Sequence, residues 1–291
     1  MWIFRALACA LCLSISGKVL STVDSVPQRS DSNLIVAAYN IQWLGQKRHD
    51  YQKLASVIKH FDICGIVEIK DEVALAQITQ ILEDETGHDW GYVYGVRTHR
   101  PGGSYHEAYG AIWRRDRVQL GDGIISGVWD RDEKFRNDPF IVSFDAGELD
   151  FAMMLVHTRW TDDDDGSRKG EVAELGRQIE FMRGFLDEDD IFLAGDFNYP
   201  LTNSNMVRMS ERADLEPIDR NENTTFKRDL SGYASAYDHV YATETARQLL
   251  IGQAEVLDVT QLIYGNTAKS SMRASKSELS DHLPVFFVLR R

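Results

Sequence analysis

The sequence is poor in cysteine, and that shortage limits how its fold can be stabilised. Its 291 residues include three cysteines, at positions 9, 12 and 64. If the N-terminal segment that carries the first two is removed, only Cys64 remains and no intrachain disulfide can form. Cys64 itself stands in an apolar run, which predicts a small core residue. A disulfide framework is therefore excluded for the rest of the chain.

Basic residues are also in short supply. Lysine and arginine total 32 against 45 aspartate and glutamate residues, which gives a formal net charge of −13 at pH 7. Without residues 1–24, which hold Arg5, Lys18 and Asp24, the charge is −14. An acidic body of this kind should be soluble and should not bind nucleic acid non-specifically through bulk charge. Any attraction for a polyanion therefore has to be local.

The apolar run near the N-terminus is too short to span a membrane, so we expect no membrane insertion. Residues 6–15 carry no charge, follow Arg5 and lead into small residues. This pattern is typical of a secretory signal peptide, which we place at residues 1–24. A buried first strand or helix is the alternative interpretation. The prediction is a secreted or periplasmic protein.

Two features qualify that N-terminal assignment. Cys9 and Cys12 raise the alternative of a lipoprotein, but the residues before each cysteine fit a lipid-attachment site poorly. Residues 25–32 are polar, include a proline and predict a linker. The domain proper would then cover residues 33–291.

Apolar runs and helical spacings alternate along that domain. Its first part follows β-α-β-α order, its middle part is mainly strands, and a long amphipathic helix precedes a further strand. No repeat of fixed short period and no long low-complexity tract is visible. Many strands with few helices predict one α/β domain of two packed sheets flanked by helices. Predicted strands cover residues 34–41, 62–69, 92–96, 109–114, 124–128, 140–144, 151–156, 191–194, 237–241 and 285–289, and predicted helices cover residues 51–61, 73–82 and 172–186.

The apolar run at residues 191–194 ends abruptly in the polar sequence GDFN. This is typical of a buried strand that presents polar side chains at the edge of a sheet. Gly195 lets the backbone turn sharply or approach another segment closely. Asp196 and Asn198 face the same way if the backbone stays extended, which would make a ligand site. The alternative is an Asx-turn, in which both side chains cap their own backbone.

Other buried runs also end in polar groups. Each alone has an ordinary structural explanation, such as a helix-capping acid for Glu68 or a satisfied core histidine for His157. Together they would crowd like charges at one sheet edge, and such crowding requires a cation or bound protons. The set as a whole therefore predicts a functional site. Its members are Asn40, Glu68, His157, Asp196, Asn198, Asp238, Asp281 and His282.

Seven motifs around these strand ends resemble the endonuclease/exonuclease/phosphatase superfamily. Their order and spacing agree from residue 34 to the C-terminus. GDFN and SDHLPV are specific for the superfamily, whereas SYHEAYGAIWR and IVEIKD resemble its deoxyribonuclease I branch. The resemblance implies a four-layer α-β-β-α sandwich of two mixed sheets. The motifs are NIQWLG at residues 40–45, IVEIKD at 66–71, SYHEAYGAIWR at 104–114, LVHT at 155–158, GDFN at 195–198, YDHV at 237–240 and SDHLPV at 280–285.

The resemblance implies a divalent-metal site. Glu68 would be the principal ligand, with Asn40 and Asp281 close to the same ion. Mg²⁺, or Mn²⁺ in its place, is a hard ion that suits carboxylate and amide oxygens. The acidic run at residues 162–165 is expected to be a solvated loop, with a structural Ca²⁺ site as the alternative.

The resemblance also identifies the proton carriers. It pairs His157 with Glu107, and His282 with either Asp238 or Asp196. Phosphodiester hydrolysis needs an activated water and a proton for the leaving alkoxide. One carboxylate-bound histidine can take the water's proton and the other can protonate the leaving oxygen. Which histidine does which is left open at this point.

Substrate contacts follow from the resemblance and from local charge. Asn198 would hydrogen-bond the scissile phosphate, and Tyr105 and Lys70 would enter the DNA minor groove. Lys70 stands where the branch carries arginine, and lysine lacks the planar fork of that side chain. Arg136 and Arg159 would supply local positive potential, although a solvated surface charge is the alternative for each.

The sequence thus predicts a secreted, divalent-metal-dependent endonuclease that cleaves DNA with little sequence preference. It would leave 5′-phosphate ends and act as a monomer. Two departures from the deoxyribonuclease I branch are the missing disulfides and Asn137, which stands where the branch carries arginine. The alternative function is a metal-dependent phosphodiesterase or phosphatase acting on a lipid or small phosphoester. A non-catalytic binding module is disfavoured because Glu68, His157, Asp196 and His282 are all present.

Overall fold

The computed structural model describes residues 23, 25–95, 107–126, 134–160 and 167–291, with the side chains of residues 124–126 and 167 outside the description. Three sequence predictions lie outside these ranges: the signal peptide apart from Val23, the minor-groove residue Tyr105, and the acidic run at residues 162–165. Within the described ranges, no helix is long and apolar enough to cross a membrane.

The first sheet is mixed. Its two central strands run parallel, with Val36 opposite Ile63, and its remaining pairs are antiparallel. The near-continuous apolar runs of the central strands are buried on both faces, as expected for the interior of a layered α/β fold. In spatial order the strands are β11 (Glu255–Val256), β12 (Val285–Arg290), β1 (Asn33–Leu44), β2 (Ile63–Ile69), β4 (Ala108–Arg114) and β3 (Trp90–Tyr94).

The second sheet is also mixed and supplies the other half of the core. One parallel pair at its centre sets His157 opposite Asp196, and the adjoining antiparallel pair sets Asp238 opposite Asp196. Three ionisable residues therefore lie side by side at one end of the sheet. In spatial order its strands are β5 (Gln119–Ser126), β6 (Phe140–Asp145), β7 (Asp150–His157), β8 (Ile191–Asp196), β10 (Asp238–Thr243) and β9 (Leu215–Pro217).

Alternating side chains of β7 separate two hydrophobic clusters. Phe151, Met153 and Leu155 pack between the sheets, whereas Met154 and Val156 pack against helices. This period of two is the expected result of burying both faces of a strand. The helices lie outside the two sheets, which confirms the predicted four-layer α-β-β-α sandwich. They are α1 (Tyr51–Ile58) and α2 (Glu72–Thr86) beside the first sheet, α3 (Ser167–Leu186) and α4 (Ser204–Ala213) beside the second, and the shorter α5 (Glu244–Gln248), α6 (Val259–Tyr264) and α7 (Lys269–Glu278).

The structure corrects two details of the sequence prediction. Val73, the apolar residue that begins the predicted helix at 73–82, does not join the buried face of α2, because 56% of its surface is exposed. It lies in the first turn beside the capping residue Asp71, and Ala74 and Leu75 take the buried face instead. The predicted linker is also docked, because the Arg29 guanidinium donates to Asp62 Oδ1 at 2.7 Å and to nearby carbonyl oxygens.

Candidate active site

Two bulged strand ends bring a carboxamide and a carboxylate from the first sheet into the site. The pairing of β1 with β2 shifts register between Asn40 and Leu44, and that of β2 with β4 shifts between Ile66 and Ile69. Glu68 lies inside the second irregularity with a φ of 65°, a conformation uncommon for a residue with a side chain. Bulges of this kind redirect side chains next to active sites.

Asn40 connects the two sheets at this edge. Its Nδ2 donates to Glu68 Oε1 and to Asp196 Oδ2, both at 3.0 Å. Glu68 belongs to the first sheet and Asp196 to the second. One amide therefore spans the seam between the sheets and holds two carboxylates close together.

The GDFN segment forms the capping turn and also directs a carboxylate oxygen at the site, so both interpretations of its sequence apply. Gly195 has a φ of 134°, and a Cβ there would lie 2.2 Å from the Val156 carbonyl oxygen, so only glycine fits. Asp196 Oδ1 accepts from the Asn198 backbone N–H at 2.8 Å, which is the capping turn. Its other oxygen, Oδ2, accepts from Asn40 and faces the histidines. Asn198 donates from Nδ2 to the Thr158 carbonyl at 2.8 Å. It lines a pocket that His157 and His282 also line.

The structure pairs His157 with Glu107. Nδ1 of His157 lies 2.7 Å from Glu107 Oε1, and Asn137 donates to that same oxygen at 2.8 Å. The opposite nitrogen, Nε2, lies 3.6 Å from Asp196 Oδ2 and 3.8 Å from Glu68 Oε1. Because Nδ1 is engaged by the carboxylate, Nε2 is the atom that faces the pocket.

His282 forms a second pair of the same design. Its Nδ1 lies 2.7 Å from Asp238 Oδ2, which decides between the two partners that the sequence left open. Thr224 donates its hydroxyl to the same oxygen at 2.5 Å. The Nε2 atom lies 3.6 Å from Asp196 Oδ2. We call His157–Glu107 and His282–Asp238 the two dyads.

Each dyad takes its histidine from one sheet and its carboxylate from the other. His157 ends a strand of the second sheet, and Glu107 directly precedes a strand of the first. His282 precedes the last strand of the first sheet, and Asp238 opens a strand of the second. Both dyads therefore exist only when the two sheets are packed together.

Burial and charge act against each other on these groups. Burial alone lowers the pKa of His157, but Glu107, Glu68 and Asp196 outweigh it and raise the pKa to about 10. Burial likewise opposes the charge of His282, yet Asp238 and Asp196 raise its pKa well above the usual value. Burial raises the pKa of Asp196 to about 6, against the lowering effect of the histidines. The set is thus poised to hold or exchange protons.

The donor set suits a hard divalent cation. Oδ1 of Asn40 is buried and has no hydrogen-bond partner within the described structure, although the amide is fixed by its Nδ2 contacts. Two groups have ligand atoms within 4.8 Å of one another: Glu68, His157 and Asp196, and Asp196, Asp238 and His282. An unpaired amide oxygen beside carboxylates matches the ligand preference of Mg²⁺. Asp281 lines the same pocket but bonds Gln42 at 2.7 Å and belongs to neither group.

The site opens into a cavity of about 510 Å³. Arg136 and Arg159, which the sequence analysis proposed as sources of local positive potential, both line it. Lys70 does not line the described pocket and is only 9% exposed. Its backbone N–H donates to the Leu44 carbonyl at 2.7 Å, which holds this residue against the end of β1.

Glu171 is a buried carboxylate that the sequence did not single out. It accepts from the backbone N–H groups of Arg136 and Arg159, at 2.5 and 2.6 Å, and from the Arg159 side chain at 3.1 Å. Burial raises its pKa, and these donors act in the opposite direction. Glu171 thus fixes two chain segments on one wall of the pocket. Two further residues contact the dyad carboxylates. The sequence analysis named Asn137 only as a departure from the deoxyribonuclease I branch, and no sequence pattern pointed to Thr224.

His239 follows Asp238 in the chain but faces away from the pocket lining. Nδ1 lies 3.1 Å from Asp219 Oδ1, and Nε2 lies 2.9 Å from the Tyr199 carbonyl and 3.1 Å from the Ala236 carbonyl. Both nitrogens therefore face acceptors, which is the arrangement of a buried imidazolium. The His239–Asp219 pair therefore has a structural role.

Comparisons with known proteins agree with this architecture. The Endonuclease/Exonuclease/phosphatase family profile matches residues 37–282. A protein of Thioalkalivibrio sp. (strain K90mix) described as a deoxyribonuclease is 27% identical over 267 residues, covering 90% of this chain and 72% of the relative. A humanised D. rerio TDP2 structure aligns with a TM-score of 0.61 and 14% identity, over 90% of this chain and 100% of that one. A mannosyl-6-phosphatase of Bacteroides thetaiotaomicron aligns with a TM-score of 0.57 and 15% identity, over 89% and 100%.

Proposed function

Because this chain belongs to the endonuclease/exonuclease/phosphatase family, we propose that it is a divalent-metal-dependent endonuclease that hydrolyses DNA phosphodiester bonds. The 27% identical deoxyribonuclease supports DNA as the substrate. The proposal includes little sequence preference, 5′-phosphate products and action as a monomer.

The observation that carries the proposal is the convergence of two dyads on one carboxylate. Nε2 of His157 and Nε2 of His282 each lie 3.6 Å from Asp196 Oδ2. Hydrolysis of a phosphodiester requires one proton to be removed from water and one to be given to the leaving oxygen. Two imidazoles held at the same distance from one carboxylate oxygen can perform these two transfers in a single site.

The carboxylates keep the imidazoles in the working orientation. Glu107 and Asp238 each accept at Nδ1, so Nε2 of each ring is directed at the reacting groups. In the proposed reaction, one histidine acts in its neutral form and takes the proton of the attacking water at Nε2, and the other acts in its protonated form and gives its Nε2 proton to the departing alkoxide. Asn198 and Arg159 hold the phosphate, with Glu171 fixing the position of Arg159.

The proposed metal ligands are Asn40 and Glu68, which are hydrogen-bonded to each other, together with Asp281, which lines the pocket with Glu68. When bound, Mg²⁺ or Mn²⁺ would neutralise charge on the phosphoryl oxygens and increase the acidity of water. The buried Oδ1 of Asn40 is available to it without breaking the contacts that Nδ2 makes.

A plasmid assay tests the proposed function. We expect purified protein to nick supercoiled DNA with Mg²⁺, to stop in EDTA, and to lose at least about a hundredfold of its rate in a Glu68→Gln variant. DNA ligase should reseal the nicks without prior phosphorylation, because the products carry 5′-phosphates. Absence of metal-dependent nicking would refute the proposal, and release of phosphate from a lipid or small phosphoester instead would favour the alternative function.

We also propose that the protein is exported after removal of residues 1–24. The support is the sequence pattern of that segment. N-terminal sequencing of protein recovered from the periplasm or the medium tests it. A recovered chain that still begins at residue 1 would contradict export by cleavage.

A further inference from the structure

The rim of the pocket carries two exposed tryptophans. Trp160 is 61% exposed and Trp43 is 44% exposed, whereas Trp90 and Trp113 are buried in the core. Trp160 and Trp43 both line the same cavity as His157 and His282. Large apolar side chains left in solvent beside a site usually mark a contact with a ligand.

Trp160 and Tyr237 form an aromatic corner. Their ring centroids are 5.7 Å apart and their planes meet at 75°. Trp160 follows His157 by three residues, and Tyr237 directly precedes Asp238. The two rings are therefore carried by the same strand ends that supply one residue to each dyad. A planar group stacked on one ring would meet the other ring at its edge.

The charge of the pocket gives a reason for such a contact. Three basic residues, Arg136, Arg159 and Lys276, line it beside three acidic ones, Glu68, Asp196 and Asp281, and each histidine in the lining is matched by the carboxylate of its dyad. Arg159 is in addition paired with Glu171 at 3.1 Å. Phosphate attraction, which dominates most nucleic-acid binding, is therefore balanced locally, on a chain of net charge −13. Stacking on aromatic rings adds affinity that does not depend on charge.

We propose that Trp160 and Tyr237 form a subsite for an unpaired nucleobase next to the scissile phosphate. This inference rests on the proposed nuclease function and adds a substrate class to it: single-stranded or locally unpaired DNA is cleaved in preference to intact duplex. In a duplex, both faces of each base are covered by neighbouring bases, so the rings have no face to stack on.

The size of the effect follows from stacking energies. Removing an aromatic platform costs about 1–3 kcal/mol per base, which corresponds to roughly 5–150-fold in affinity. We therefore expect Trp160→Ala to raise KM for single-stranded oligonucleotide by about tenfold or more, with kcat nearly unchanged. KM for duplex should change little. Trp160→Phe, which keeps a ring, should recover much of the loss.

Phe185 offers a matched control. It is 63% exposed, lies near the C-terminal end of α3, stacks on Phe181 at 5.6 Å and does not line the pocket. Phe185→Ala removes a comparable exposed aromatic surface, so its KM on both substrates should match that of the unmodified protein. Loss of single-strand preference in Phe185→Ala as well would make the effect a general one and overturn the assignment to Trp160.

A binding measurement separates this inference from the proposed function. In EDTA, fluorescence anisotropy compares a labelled oligothymidine with an oligomer of equal length whose central positions are base-free tetrahydrofuran units. We expect tighter binding of oligothymidine by the unmodified protein and equal binding of both by Trp160→Ala. Failure to nick plasmid would refute the nuclease function alone, since base-dependent binding needs no cleavage.

Three outcomes would overturn the subsite. Equal affinity of the unmodified protein for the two oligomers would show that the subsite does not bind a base. An unchanged KM for single-stranded DNA in Trp160→Ala would show that Trp160 does not stack on a base of the substrate. Binding to vesicles of phosphatidylcholine and phosphatidylglycerol that Trp160→Ala abolishes, without any loss of oligonucleotide binding, would assign the corner to a lipid surface.

Discussion

His282 and His239 each contact a carboxylate through Nδ1, yet their Nε2 atoms lie in opposite surroundings. Nε2 of His282 faces the pocket, 3.6 Å from Asp196 Oδ2. Nε2 of His239 is closed off by the carbonyl oxygens of Tyr199 and Ala236. The histidine–carboxylate pair of His282 can therefore transfer protons at the pocket. In the pair of His239, both ring nitrogens are held by structural contacts. The second nitrogen, rather than the presence of a carboxylate, separates a candidate catalytic histidine from a structural one.

The largest effect should come from breaking the pocket-facing pairs. His157→Ala and His282→Ala should each lower the plasmid-nicking rate by about 10²–10⁴-fold, the usual contribution of general acid–base catalysis. Each variant also leaves a buried carboxylate, Glu107 or Asp238, without its histidine, so unfolding in urea should shift to lower concentrations and the rates are compared for the folded protein. His88→Ala serves as a control because its side chain is 45% exposed and forms an ion pair with Asp116 near the surface, outside the pocket lining. Undiminished nicking by both pocket variants would refute the proton-transfer roles.

The next effect concerns stability rather than rate. His239→Ala leaves the buried Asp219 carboxylate, 4% exposed, with two backbone N–H donors but without its charged partner. Breaking a buried pair in this way costs about 3–5 kcal/mol, so urea unfolding should shift to much lower concentrations. The molecules that stay folded should keep most of their nicking rate. Normal stability with a rate as low as that of His282→Ala would reverse the distinction between the two histidines.

Close packing between the sheets gives a third test, because both dyads cross that boundary. A Cβ on Gly65 of the first sheet would lie 2.6 Å from Leu155 Cδ2 of the second, two residues before His157. Gly65→Val should destabilise the fold by about 1–3 kcal/mol through overpacking and lower the nicking rate of the folded protein. Gly184→Ala is the control, since a Cβ there meets nothing within 4 Å. Equal behaviour of the two variants would show that sheet spacing does not matter to the site.

The smallest effect is a pH dependence of the structural pair. Burial lowers the pKa of His239, but Asp219 and the Tyr199 carbonyl outweigh it, so the folded-state pKa lies above the ordinary value. The stabilisation is then fully present below about pH 6.5, the unfolded-state value, and is lost as the pH rises through the folded-state pKa. The stability difference between the unmodified protein and His239→Gln should therefore shrink from mildly acidic to alkaline pH. A difference that grows with pH would contradict a charged His239.

Much of the fold and of the site was accessible from the sequence because both depend on local pattern. The polar residues that end buried runs, such as Glu68 and Asp196, identified the edge of the sheets, and the family match confirms the resemblance built on them. The four-layer architecture is confirmed as well. The partner of His282 stayed open because Asp196 and Asp238 face each other on adjacent strands.

Other features depend on contacts between distant segments and left no local signal. Glu171 reaches Arg136, and Thr224 reaches Asp238, through loops whose courses only the folded chain defines. Helix α7 was not predicted because it buries little apolar surface beyond Met272. The burial of Lys70 was equally hidden, since a charged residue beside a strand end is as often exposed.

The boundary between the two sheets also determines at which stage of folding the chain can become active. A partly folded chain with one sheet formed contains histidines and carboxylates but no histidine beside its own carboxylate, because each dyad crosses from sheet to sheet. Under the proposed function, a nascent chain therefore cannot cut the DNA of the cell that makes it. Docking of the two sheets is the step that completes both dyads.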